Sequence, residues 1–490
     1  MKIIICFPPL NSEKGCPTLG QNRQFQYFKE PTLIYPVVPA IAATLLKQNG
    51  FDVVWLDCLA QNITQEDFFA MVKEQTPDII AFETKAPVIK KEWEIVNRLK
   101  KENPKLLTAF FGDHVTALPQ ESFEHSGIDY VLTGGDYDFL LLNLCKHLQD
   151  PQGISLEGGI WMRKGEAAES TGDFTLEHNL DMLPFIDRDL TCWKDYAYKN
   201  GNYRRTPGTY IMSGRDCWWG KCTFCSWPQL YPKFRARSVK NVLDEIQHLV
   251  ETFHVREIMD DTGTFSVGAW LKEFCEGMIE RGLNKKVTLD CNMRFGAVDF
   301  EGYKLMRKAG FRFLLFGVES ANQATLDRIK KDLTVEVIKK SCKEAREAGL
   351  YPHITIMFGY PWETLEEANN TFDLGAWLLK KGYAYTMQST VVIPYPRTPL
   401  FVECEEKGWL TTGSWDDFDM KRPVMKLGFS ESEIPKLVQK LYRVSFSLEF
   451  IFRKILSIRE IDDIKYFWRA FLKVIGHILD FKRNKPKKRL

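Results

Sequence analysis

Short apolar runs alternate with longer amphipathic stretches along the first 150 residues of the chain. Residues 2–7 form a compact apolar run that Pro8-Pro9 ends. Positions 35–48 repeat apolar side chains at helical spacing, and Gly50 closes that helix. Runs at 52–58, 78–82, 106–111 and 130–133 read as strands, and 65–75, 88–102 and 139–148 as helices. Strands that alternate with helices predict an α/β domain with a doubly wound parallel sheet. Ligands of such sheets sit beyond the carboxyl ends of the strands. Those ends hold Pro8, Thr84, the segment Gly112-Asp113-His114-Val-Thr116 and Gly134-Gly135. Glycine at such places allows close backbone approach to a ligand.

A hairpin at 159–165 and a linker at 183–189 follow. Strand and helix signals then alternate again, with strands at 210–213, 257–259, 287–291, 313–316, 353–357 and 386–393. Six such units predict an open parallel (β/α)6 partial barrel, with its active site at the carboxyl ends of the strands. The expected division is 1–150, a hairpin and linker at 151–205, a barrel at 206–420 and a C-terminal helical segment at 421–490.

The loop after the first barrel strand reads Cys217-Trp-Trp-Gly-Lys-Cys222-Thr-Phe-Cys225. Thiolates hold soft metals and iron–sulfur clusters. A structural zinc site wants a fourth thiolate or a nearby histidine, and the nearest histidines are His178 and His248. Three thiolates on a four-iron cluster leave one iron open to a ligand that is not protein. Structural zinc with a distant fourth ligand is the competing reading.

With its aromatic Phe224 just before the third cysteine, this triplet resembles the radical S-adenosylmethionine (SAM) enzymes. The usual spacing in that family is three residues and then two; here it is four and then two. The flank Cys222-Thr-Phe-Cys225-Ser-Trp-Pro-Gln, followed by Phe234-Arg-Ala-Arg237-Ser238, resembles the branch with an N-terminal cobalamin-binding domain. Within that branch it is most similar to hopanoid-type ring-contracting enzymes and to anaerobic magnesium-protoporphyrin ester cyclases, over roughly residues 1–420.

The resemblance implies a 4Fe–4S cluster on Cys217, Cys222 and Cys225, SAM as the second cofactor and cobalamin as the third. It implies SAM contacts at Phe224, Asp261, Thr262, Asn292, Arg294, Glu319, Ser320 and Gly359. For cobalamin it implies Pro8, Thr84, Gly112, Asp113, His114, Thr116, Gly134 and Gly135. The pattern Asp-x-His-x-x-Gly is absent, so His114 does not match a cobalt ligand. The implied activity is methylation, cyclisation or rearrangement at an unactivated carbon of a small-molecule or lipid-like substrate, fed by a flavodoxin- or ferredoxin-type donor without oxygen. A methylthiotransferase-like enzyme and a non-catalytic cluster- and nucleotide-binding sensor are the rival readings. Blander roles also stand beside these residues. Asp260-Asp261 could cap a helix, Ser238 reads as a cap, Arg237 and Glu319 could be ion-pair partners, and His353 reads as a satisfied barrel residue.

Composition narrows the setting. A net charge of +2 gives no global reason to expect nucleic acid. Nine cysteines lie scattered outside the triplet, many in apolar runs, as in a reducing cytoplasm. The longest apolar stretch, 37–46, is far below the ~20 residues that span a bilayer. Near the C-terminus, Ile464, Phe467, Trp468, Phe471, Leu472, Ile475, Ile478 and Leu479 repeat at helical spacing. Residues 482–489 then add six positive charges and no negative ones. This segment is either a helix packed on the enzyme with a solvated tail, or a peripheral contact with an anionic membrane surface.

Overall fold

The computed structural model describes residues 1–18, 25–29, 32–458 and 460–482. The first apolar run is buried on both faces and forms β1 (Lys2–Phe7). It lies between β2 (Asp52–Asp57) and β3 (Ile79–Thr84); β4 (Leu107–Gly112) and β5 (Tyr130–Leu132) extend the sheet beyond β3, all in parallel. The hairpin β6 (Ile160–Lys164) and β7 (Ala167–Ser170) then pairs antiparallel onto β5. The hairpin expected between the two domains is therefore the edge of the first sheet. Its residues are mostly half-buried in β6 and exposed in β7, as suits a sheet edge.

Several helices start where a polar side chain satisfies a free backbone N–H group. Thr64 accepts from the amide of Asp67 at 3.2 Å, and Thr364 forms a reciprocal capping box with Glu367. The predicted caps at Ser238 and the ion pair of Arg237 with Glu245 are both present.

The second sheet holds β8 (Gly208–Ile211), β9 (Glu257–Asp260), β10 (Thr288–Met293), β11 (Phe311–Glu319), β12 (Tyr351–Phe358) and β13 (Thr386–Val391). They pair in parallel in sequence order, with β8 and β13 as the two edges, so the barrel is open along one seam. At its amino-terminal end, Arg312 is buried between Glu257 and Asp290, at 2.7 and 2.6 Å. The seam is straddled by the C-terminal helices. Arg469 donates to the carbonyl of Tyr203, beside β8, and Lys454 donates to the carbonyl of Tyr385, beside β13, both at 2.7 Å.

The helix Ile461–Lys482 is turned so that Asp462, Asp463 and Tyr466 face the barrel. Asp463 pairs with Arg204, Asp462 pairs with Arg256 at 2.8 Å, and Tyr466 is buried. Ile464, Trp468, Phe471 and Leu472 of the expected apolar stripe consequently point to solvent. The ion pairs set the rotation of this helix, which its apolar periodicity alone does not. The side chains of Ile478 and Leu479, and residues 483–490, lie outside the described residues.

The two sheets are joined by buried charge. Arg215, just before the cysteine loop, reaches Asp136 and Asp138 at the start of the helix Tyr137–Gln149, and Arg235 reaches Asp136. Asp136 and Asp138 follow β5 directly, so this network ties the barrel's loop to the carboxyl edge of the first sheet.

Candidate active site

The cysteine loop follows β8, so the barrel delivers its thiols to the carboxyl face of the strands. Cys217, Cys222 and Cys225 all line one cavity of about 370 Å³ inside the barrel. Two indoles hold the loop: Trp218 donates to the carbonyl of Phe265 at 3.1 Å, and Trp219 to that of Lys330 at 3.0 Å. The Arg294 guanidinium stacks 3.8 Å from the centroid of the Trp219 ring. The hydroxyl of Thr264 lies 3.1 Å from Cys217 Sγ. Burial pushes the Cys222 thiol up, and the positive charge of Lys331 opposes that shift.

This donor set fits an iron–sulfur cluster. Three soft ligands converge on one cavity, and the cations Lys331 and Arg294 line the same space. Among the described residues no three His, Cys, Asp or Glu side chains gather tightly enough for a single metal ion. Thiolates on separate irons of a cluster have no need to.

Of the eight residues expected at SAM, Phe224, Asp261, Asn292, Arg294 and Glu319 line this cavity. Glu319 gets there through local backbone geometry: the register of β11 against β12 shifts between Gly317 and Glu319, and Glu319 has φ +64°. A bulge of this kind re-aims a side chain. Asn292 is held by a bond from its amide nitrogen to the carbonyl of Thr262, at 3.0 Å. The polar groups so placed suit a zwitterion with a ribose and a base.

Thr262, Ser320 and Gly359 do not reach the cavity. Thr262 is fully buried and accepts from the amide of Gly214 at 2.9 Å. Ser320 donates to Glu363 at 2.7 Å, behind the strand ends. Gly359 has φ +100°, and its near neighbours are Val391, Leu427 and Ile434, so its glycine serves the turn rather than a ligand. Asp260 caps no helix; it accepts from the amides of Ser213 and Thr262. His353 lines the cavity and is paired with Thr386 at 2.8 Å; burial pulls it down to about 3, so it is neutral.

Lys331 is a site residue that the sequence reading missed. It lines the cavity and pairs with Glu319 at 2.8 Å. Burial lowers its pKa, but the charges of Glu319 and Cys222 outweigh that and raise it. Its position depends on left-handed backbone at Lys330 and Asp332, with φ +54° and +48°, which no periodicity announces.

Comparison with known proteins places these features. A sequence profile described as the Radical SAM superfamily matches residues 211–375, and one described as a B12 binding domain matches residues 32–139. The chain carries a radical SAM domain behind a B12-binding domain. The chain is 27% identical over 460 residues to an uncharacterized methyltransferase of Pyrococcus horikoshii, covering 91% of this chain and 93% of that one. It is 28% identical to the anaerobic magnesium-protoporphyrin IX monomethyl ester cyclase of Cereibacter sphaeroides, over 80% of this chain and 63% of the cyclase. Its fold matches that of the cobalamin-dependent SAM radical enzyme OxsB with a TM-score of 0.70, at 15% identity, over 98% of this chain and 71% of that one.

The eight residues expected at cobalamin sit at the carboxyl edge of the first sheet, and none of them lines the cavity. Pro8 is buried, and Thr84 donates to the carbonyl of Phe111 at 3.1 Å. A Cβ on Gly112 would press on the carbonyl of Thr84 at 2.5 Å. Asp113 pairs with Lys85 at 3.6 Å and accepts from Ser226 at 3.3 Å. His114 is buried and engaged with Glu121 at 2.9 Å. Thr116 donates to the carbonyl of Gly112 and accepts from the amide of Gly134. Over Gly134 lies the ring of Phe174, and over Gly135 the ring of Tyr231, whose hydroxyl donates to the Gly135 carbonyl at 3.0 Å. A Cβ on Gly135 would meet the Tyr231 ring at 1.9 Å. In this conformation the two glycines cradle the protein's own aromatic rings, at an edge of the domain that the B12-binding profile matches. Tyr231 lies six residues after Cys225, so the cysteine loop and this edge share one segment of chain.

Proposed function

We propose that the barrel cavity is the reaction chamber of a radical SAM enzyme, with Cys217, Cys222 and Cys225 as the ligands of a 4Fe–4S cluster. One observation carries this reading: the three cysteines line the same cavity as Asn292, Arg294 and Glu319. When bound, the cluster and SAM supply hydrogen-atom abstraction from an unactivated carbon. This chain's residues do the rest. Arg294 and Lys331 offset the negative charge of the thiolates. Glu319 and Asn292 present an acceptor and an amide to the polar end of SAM, and Phe224 offers a flat apolar face to its base. The lining beyond them, including Met259, Leu315, Met357 and Val392, excludes water and leaves room for an apolar substrate.

The finer reading is methylation, cyclisation or rearrangement of a small-molecule or lipid-like substrate. It takes a flavodoxin- or ferredoxin-type electron donor, an oxygen-free cytoplasm and a peripheral membrane contact through the C-terminal helices. Among the described residues no two cysteines form a disulfide, which supports a reducing compartment. The test is metal analysis after anaerobic reconstitution. About four irons and four sulfides per chain are expected. Replacing Cys217, Cys222 and Cys225 together with alanine is expected to abolish them while the chain stays folded. Full iron retention in that variant would overturn the assignment.

A further inference from the structure

The barrel wall consists of hydrogen-bonded strands everywhere except along the seam between β8 and β13. Strands cannot part without losing their ladder, whereas side chains packed over a seam can. Tyr466, Ala470 and Val474 of the helix Ile461–Lys482 line the cavity there, together with Phe28 and Ile34 from the N-terminal region. The outer side of the same helix exposes Ile464, Trp468, Phe471 and Leu472, with Trp468 61% exposed. The neighbouring helix Leu448–Leu456 exposes Leu448 at 86%, Phe452 at 62% and Leu456 at 67%. Phe446 and Phe471 meet edge to face, with ring centroids 6.3 Å apart, and join the two exposures into one apolar surface. Patches of this kind mark a partner surface.

Charge identifies the partner. Residues 443–490 hold thirteen Lys and Arg against five Asp and Glu; Lys454 and Arg469 are taken up at the seam, and six of the others fall within 482–489. An apolar surface bearing Trp and Phe, in a stretch of sequence that runs on into basic residues, matches the two layers of an anionic bilayer: acyl chains for the rings and phosphates for the cations. Among the described residues no helix is long and apolar enough to cross a membrane, so the contact is interfacial.

We propose that the helices Leu448–Leu456 and Ile461–Lys482 rest on an anionic phospholipid bilayer, and that an amphipathic lipid substrate passes through the seam beneath them into the cavity. This rests on the reading of the cavity as the reaction chamber, and it names that chamber's substrate class. The full-length protein would be sedimented with phosphatidylcholine vesicles, with and without phosphatidylglycerol. Binding is expected to the anionic vesicles alone, to weaken with salt, and to fall at least tenfold in the variant Ile464→Ser/Trp468→Ser/Phe471→Ser. A variant with Lys485, Lys487 and Lys488 replaced by Gln should lose the preference for anionic vesicles. Equal binding to both vesicle types, no binding, or dimerisation that the serine variant abolishes would overturn the bilayer as partner. Anionic vesicles bearing a phospholipid with a diazirine on its acyl chain then test the seam. Adducts on Tyr466, Val474 or Phe28 as well as on Trp468 and Phe471 are expected; adducts confined to the outer residues would overturn the entry route. Cluster iron, measured on the same samples, reports separately on whether the chamber itself is as proposed.

Discussion

Lys331 and Glu319 face each other inside the cavity wall, with side chains 13% and 8% exposed. Removing one partner of a buried pair leaves an uncompensated charge and costs about 3–5 kcal/mol. Lys331→Met is therefore expected to lower the denaturation midpoint strongly, and Lys331→Met/Glu319→Gln to recover much of the loss; equal losses in both would show that the pair is not coupled. Tyr231 gives a second expectation at this scale. With its ring over Gly135 it closes the cradle of the B12-binding edge, so Tyr231→Ala should bind hydroxocobalamin faster in stopped-flow absorbance. An unchanged or slower rate would mean that the ring is no barrier. Single residues were unequally legible in the sequence. The three cysteines stood out because thiols at that spacing are chemically specific. Lys331 did not, because its place depends on two left-handed residues beside it, and Thr262, Ser320 and Gly359, expected at SAM, are not among the residues that line the cavity.

Elements were more legible than contacts. Every parallel strand of both sheets followed from runs of apolar residues, because a strand buried on two faces needs such a run. The hairpin expected at 159–165 reaches β6 and its turn but not β7, and its pairing with β5 was not legible, since a half-buried edge carries no sign of its neighbour. The rotation of the helix Ile461–Lys482 was hidden for a similar reason: Arg204 and Arg256, some two hundred residues away, fix it. The linker after the hairpin yields a pH prediction. His178 stacks on Phe139 and lies between Asp136 and Glu157, at 3.1 and 3.0 Å. Burial lowers its pKa, but the two carboxylates outweigh burial and raise it from 6.5 to about 9. A raised pKa means the folded state holds the proton more tightly. The stability it contributes is complete below pH 6.5 and fades as pH rises toward 9. Urea unfolding midpoints should fall across that window in the wild type and stay flatter in His178→Gln. Parallel profiles would refute the assignment.

Across the whole molecule, Arg215 and Arg235 of the barrel meet Asp136 at the edge of the first sheet, and the segment after Cys225 docks on Gly135. The cysteine loop is thus braced between the barrel and the B12-binding domain, and the cavity it enters is closed at the seam by the C-terminal helices. The central claim is that a cluster on Cys217, Cys222 and Cys225 shares this cavity with SAM. The most direct measurement is the electron paramagnetic resonance spectrum of the reduced, reconstituted protein before and after SAM is added. SAM is expected to shift the g-values of the cluster in the wild type, with a higher SAM concentration needed in Asn292→Ala at equal iron content. A cluster spectrum that SAM leaves unchanged at saturating concentration would contradict the account.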